Sequence, residues 1–265
     1  MSAEQLLRDG NLAEALAQLQ SEVRKEPGNA AYRVFLFQLL CVLGDWNRAL
    51  GQLGVAGDLD PRALAMVQTY REALRCEVFR AEVFAGRRQP LVFGQPAAWV
   101  AWMIEALRRN ADGRPAEAQE LRDRALEAAA AVPGRIGDTP FDWIADADPR
   151  LGPILEAIVD GRYYWVPFEA IRRVVIEEPQ DLRDVVWMPA HLFWINGNKS
   201  VALLPTRYPD SEVSEDPAIR LSRRTEWMES GSAPVTGLGQ RMLATDASEY
   251  PLMDIRQIVL DHANG

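Results

Sequence analysis

GNLAEALAQLQSEVRKEP (Gly10–Pro27) returns, one period later, as GDWNRALGQLGVAGDLDP (Gly44–Pro61). Gly10 to Gly44, Ala15 to Ala49 and Pro27 to Pro61 are each separated by 34 residues. That is the period of the tetratricopeptide repeat, a helix–turn–helix unit. Each recurring residue has a mechanical task. A glycine takes the left-handed conformation that ends one helix, and Asp45 caps the next. Ala15 and Ala49 let helices approach closely, Pro27 stops a helix, and Asp60-Pro61 reads as an N-cap followed by a first helical residue.

The apolar spacing agrees with helices. Leu12, Leu16, Leu19 and Val23 make one stripe, Phe35, Leu36, Leu39, Leu40 and Leu43 a second, and Trp46, Leu50 and Leu53 a third. A long helix after Pro61 is expected to bury Leu64, Val67, Tyr70, Leu74, Val78 and Phe84. A looser third unit pairs a helix through Trp99, Met103, Ala106 and Leu107 with a second marked by Gly113, Ala118 and Ala125. A bundle of helices with similar ends is the alternative. Repeat arrays of this kind expose a concave face that receives a peptide or helix.

Near Pro133 the chemistry changes. VPGRIGDTPFDWIADADPRLGPILE (Val132–Glu156) is rich in proline and glycine and reads as a connector running into a short helix over about Arg150–Val159. RYYWVP, DVVWMP, HLFWI and SVALLP read as short strands, with NGNK (Asn196–Lys199) as a hairpin turn. AIRLSRRTEW is expected to be a further strand, whereas PFEAIRRVVIEE and YPLMDIRQIVLDH read as helices. The predicted fold class is therefore α+β: a tetratricopeptide-like helical domain over 1–133, then a connector and a smaller α+β domain over 134–265.

The 265-residue chain is 48% hydrophobic and 25% charged, ordinary for a globular protein. A net charge of −9 argues against nucleic-acid and anionic-membrane partners, which need a basic face. No secretory signal is visible, and the longest apolar run, Val34–Leu43, is half of a membrane span. Cys41 and Cys76 read as small buried hydrophobes in a reducing compartment. These features predict a cytoplasmic location.

Candidates for chemistry are few. The two histidines, His191 and His262, belong to no zinc or triad pattern. Asp142, Asp146 and Asp148 form an acidic cluster without the glycine and terminal glutamate of a calcium loop, and caps and turns explain it better. TGLGQRML (Thr236–Leu243) lacks the lysine of a phosphate loop and reads as a tight turn. Arg172-Arg173 and Arg223-Arg224 are each expected to split across two faces. No catalytic residue, metal or cofactor follows. The alternative reading is a metal-dependent enzyme using Asp146, Asp148 and His191 where the two halves meet.

PFDWIADADPRLGPILEAIVDGRYYWVPFEAI, LRDVVWMPAHL, LLPTRYPDS and GLGQRMLATD follow one another in an order that resembles the ImpE family, also called TagJ. Trp143, Asp146, Asp148, Gly152-Pro153, Trp165-Val166-Pro167 and Trp187 carry the resemblance most specifically. It implies a non-enzymatic adaptor of bacterial type VI secretion. Such an adaptor binds the N-terminal helix of the contractile sheath's small subunit and the ATPase that recycles the sheath. In a helical array the first helix of each unit lines the concave side. The partner-binding candidates are accordingly Val34, Gln38 and Cys41, on one stripe apart from the core stripe, with Arg8 adjacent.

Overall fold

The computed structural model describes residues 1–94, 97–229 and 234–262. Helices α1 (Ala3–Arg8), α2 (Leu12–Lys25), α3 (Ala30–Val42), α4 (Trp46–Leu59) and α5 (Leu64–Phe84) come first. A short strand β1 (Leu91–Val92) separates them from α6 (Ala98–Ala111) and α7 (Pro115–Ala128). The repeat's punctuation acts as its chemistry requires. Gly10, Gly44 and Gly113 have φ of 81°, 73° and 73°. At each, the glycine N–H and the next N–H bond back to the ending helix, as Gly44 N to Cys41 O and Asp45 N to Leu40 O do. Asp45 then accepts from Arg48 N, so one helix closes and the next opens within three residues. Ala15, Ala49, Ala118 and Ala125 are fully buried at helix contacts.

In α5, Val67, Tyr70 and Leu74 are buried as expected, but Leu64 and Val78 face solvent. The deeper face of α5 instead carries Glu77 and Arg80, because the helix lies on a sheet that supplies partners for their charges.

The remaining strands are β2 (Gly134–Ile136), β3 (Thr139–Phe141), β4 (Ile144–Asp146), β5 (Ile154–Val159), β6 (Arg162–Pro167), β7 (Ile171–Ile176), β8 (Trp187–Trp194) and β9 (Lys199–Pro205). After the one-turn helix α8 (Pro217–Arg220) come β10 (Thr225–Met228), β11 (Thr236–Gly239), β12 (Met242–Thr245), β13 (Glu249–Pro251) and β14 (Gln257–Leu260). Nine strands form one sheet in the order β1-β6-β5-β9-β8-β7-β14-β2-β3, and β13-β12-β4 form a smaller one. The architecture is α+β.

Three segments expected to be helical are strands. Ile154–Val159 is β5, Phe168–Ile176 is one 3-10 turn followed by β7, and Glu249–Leu260 holds β13, a 3-10 turn and β14. The expected strand AIRLSRRTEW is α8 up to Arg220 and becomes β10 only at Thr225. DVVWMP and HLFWI, read as two strands, are a 3-10 turn at Leu182–Val185 and the single strand β8, which runs straight through Pro189. Pro189 sits in this interior strand where its missing N–H falls opposite Glu177, just past the end of β7, and its carbonyl still accepts from Glu177 N there. The Asn196–Lys199 turn joins β8 to β9 as expected, with Gly197 at φ 86°.

Every residue of β5 is buried. Ile154 and Ile158 enter a core shared with the helices, whereas Leu155, Ala157 and Val159 enter a second core closed by β12 and the 252–255 segment. The sheet is thus a middle layer, with helices on one face and the small sheet on the other.

Candidate functional site

Two features stand out, a groove on the helical layer and a buried network beneath it. The groove lies where α1, the start of α3, the Pro61–Ala63 turn and Asp181 converge, and it encloses about 510 Å³. Ala31, Val34, Phe35 and Ala63 give it an apolar lining, Gln38 a polar contact, and Glu4, Asp60 and Asp181 a margin of carboxylates, of which Asp60 pairs with Arg62 and Asp181 with Arg183. The Glu26 carboxylate, with partial burial and with Glu22 and Glu4 beyond, raises the Tyr32 hydroxyl above its ordinary range.

Of the four partner-binding candidates, Val34 and Gln38 line this groove. Cys41 is fully buried, its backbone carbonyl accepting from Arg207, and burial pushes its thiol well up. Arg8 is exposed beside Gln5, and its carbonyl accepts from Arg223 rather than turning to the groove.

Beneath α3 and α5 lies a network of buried charge. Arg80 on α5 bonds both oxygens of Glu156 on β5 at 2.6 and 3.0 Å, reaches Glu77 at 3.4 Å and donates to the Arg207 carbonyl at 3.0 Å. Arg241 pairs with Glu156 and Asp146 together. Tyr163 donates to Glu156, Trp165 to Tyr163 at 2.9 Å, Trp187 to Glu77 at 2.8 Å and Tyr208 to Asp146 at 3.0 Å. Arg207 caps the end of α3 through the Val42 and Cys41 carbonyls at 2.8 and 2.9 Å. Burial alone would raise the Glu156 carboxyl, but Arg241 and Arg80 outweigh it and hold the group at about 2. Burial dominates at Asp146, pushing it up to about 6 with Arg241 opposing.

Such a network, its charges paired and its donors satisfied, rigidifies a core. Asp146, Asp148, Arg207, Tyr208 and Arg241 all sit in the phrases that carry the family resemblance. Asp148 takes Arg150 and the Gly237 N–H; Gly237 lies within β11, so Thr236–Leu243, read as a tight turn, is instead β11 and the start of β12 joined at Gln240-Arg241. Arg80, Glu156 and Arg241 were not singled out from the sequence. The available signal was a lone glutamate inside the apolar ILEAIV, since a buried carboxylate needs a cation.

Asp146, Asp148 and His191 do not form one site. The two aspartates are committed to arginines, while half-exposed His191 lies 3.4 Å from Glu177 on the sheet's other region. Asp142 is exposed, and its N–H bonds Asp246. Among the described residues no three His, Cys, Asp or Glu side chains are placed to hold a metal ion. Among them, too, no helix is long and apolar enough to cross a membrane.

The family model described as "ImpE protein" matches residues 138–259. The type VI secretion system accessory component TagJ of Pseudomonas aeruginosa is 54% identical over 258 residues, covering 97% of this chain and 90% of that protein. The crystal structure of protein VPA1032 from Vibrio parahaemolyticus superposes with a TM-score of 0.90 over 98% of both chains at 24% identity, a likeness of fold.

Proposed function

The chain belongs to the ImpE family, and on that premise we propose that it is a non-enzymatic adaptor of a type VI secretion system. Its helical layer acts as a short tetratricopeptide-like array, 1–133, that receives a helix from the sheath's small subunit. The domain over 134–265 buttresses the array and is the candidate contact for the sheath-recycling ATPase. The observation that carries this reading is the groove at Val34, Phe35 and Gln38, whose apolar lining and margin of carboxylates suit an amphipathic helix with a basic flank. The buried network supports it indirectly, since a groove binds best on a frame that does not have to be ordered first.

The test is calorimetric titration with a synthetic N-terminal helix of the sheath's small subunit. Saturable one-to-one heat is expected, weakened at least about tenfold by Val34→Arg or Gln38→Glu, as for an interface anchor. Silence from both the peptide and the intact subunit would overturn the reading.

A further inference from the structure

On the β9-β8-β7-β14-β2 part of the large sheet, the face turned away from the second core is partly open to solvent and gathers positive charge. Register places Lys199 opposite Phe193, Phe193 opposite Arg173, Arg173 opposite Val259 and Val259 opposite Arg135. Directly opposed residues point to the same face, so these side chains form one row across five strands. Arg172 joins them through a β-bulge. The pairing of β7 with β8 shifts between Ile171 and Arg173, leaving Arg172 as the extra residue. Adjacent arginines expected to point apart are thereby turned into one cavity of about 290 Å³, with Arg135 as its third guanidinium. Arg173 also stacks on Phe193 at 4.0 Å.

Among the described residues these four cations take no carboxylate, in a chain with 38 acidic against 29 basic residues. Exposed Arg62, Arg87 and Arg108, by contrast, each pair with a neighbour. The face's own acids lie at its margins, Glu177 beside His191 and Asp261 just past β14.

We propose that this face is a second docking surface, separate from the groove, for an acidic segment of a partner protein. With strands about 4.8 Å apart, Lys199, Arg173 and Arg135 are spaced by roughly 10 Å each. One compact oxyanion fills the arginine cavity alone, whereas a segment with several carboxylates engages the whole row. Phe193 and Val259 between the cations offer apolar contact to such a segment. A nucleic acid or an anionic membrane is disfavoured because a net charge of −9 repels a dense polyanion.

The experiment is fluorescence anisotropy with a labelled peptide of glutamates carrying two phenylalanines, titrated with the full chain at low salt. Binding is expected to weaken steeply with salt and by about tenfold or more in Arg135→Glu/Arg173→Glu, because charge-assisted contacts are lost. Arg71→Glu/Arg88→Glu, with the same change in net charge elsewhere, should retain binding. The sheath-helix titration should be unaltered in both variants, which separates this surface from the groove. The proposal is overturned by no binding, by equal losses in the two variants, by complete displacement with inorganic phosphate where chloride of the same ionic strength displaces nothing, or by tighter binding of a single-stranded oligonucleotide.

Discussion

Glu156 is the residue on which the buried charge turns. It accepts from Arg80, Arg241 and Tyr163. Its carboxyl titrates at about 2 in the fold against an ordinary 4.5, so it stabilises the protein fully above pH 4.5, and that contribution is lost as pH falls towards 2. Asp146 works in the opposite sense. Raised from 3.8 to about 6, it binds its proton more readily in the folded state, so its contribution falls as pH rises from 3.8 through 6. Urea midpoints should therefore hold or rise slightly from pH 6 to 4.5 and drop below it. Glu156→Gln should remove much of the acid limb and cost about 3–5 kcal/mol at pH 7, since two buried guanidiniums lose their counter-charge. An unchanged acid limb in that variant would show that other carboxylates govern it. Arg207 explains a misplacement in the sequence reading. Helical spacing alone puts Cys41 on the stripe of Val34 and Gln38, but Arg207 arrives from the sheet, over 160 positions away, and covers the end of α3. Nothing local to α3 announces that partner.

Helices were legible because each buries one stripe and each repeat closes on a glycine. Gly44 and Gly113 share the same φ of 73°, yet their surroundings differ. A Cβ on Gly44 would meet Glu212 Cγ at 2.6 Å, whereas one on Gly113 would meet nothing within 4 Å. Gly113→Ala should cost about 1–2 kcal/mol, the left-handed penalty alone. Gly44→Ala should cost more, since Glu212 must also move. Thermal or urea unfolding decides the order, and equal costs would mean that Glu212 yields freely. Strands were legible where a hairpin marked them, as at Asn196–Lys199, and illegible where both faces are covered. ILEAIV packs alternate residues into two different cores, so its sequence is a continuous apolar run with no period of two. The arginine cavity was hidden for a related reason: a bulge abolishes the alternation that separates neighbouring side chains.

At the scale of the molecule, the proposed boundary near residue 133 separates the long helices from all strands but β1, which crosses it to pair with β6, and it does not separate one core from another. Trp187 on β8 packs 6.2 Å from Trp46 and 5.8 Å from Tyr70, Tyr163 lies 6.1 Å from Phe79, and Trp165 lies 6.2 Å from Phe84. The Arg80–Glu156 pair crosses the same interface. Removing the sheet would expose these aromatics and strand the Arg80 and Glu77 charges in an apolar surface, a loss larger than the few kcal/mol that hold a domain of this size. The two layers should therefore unfold as one unit. Helical circular dichroism and tryptophan fluorescence should give coincident urea midpoints, and a fragment ending at residue 133 should lack a cooperative transition. Val34→Arg in the groove and Arg135→Glu/Arg173→Glu on the sheet are exposed or half-buried changes that should leave that single transition in place. Two separated transitions would instead mark the helical array as an independent unit. The groove would then be a property of the helices alone, and binding by the isolated fragment would replace rigidity of the frame as its explanation.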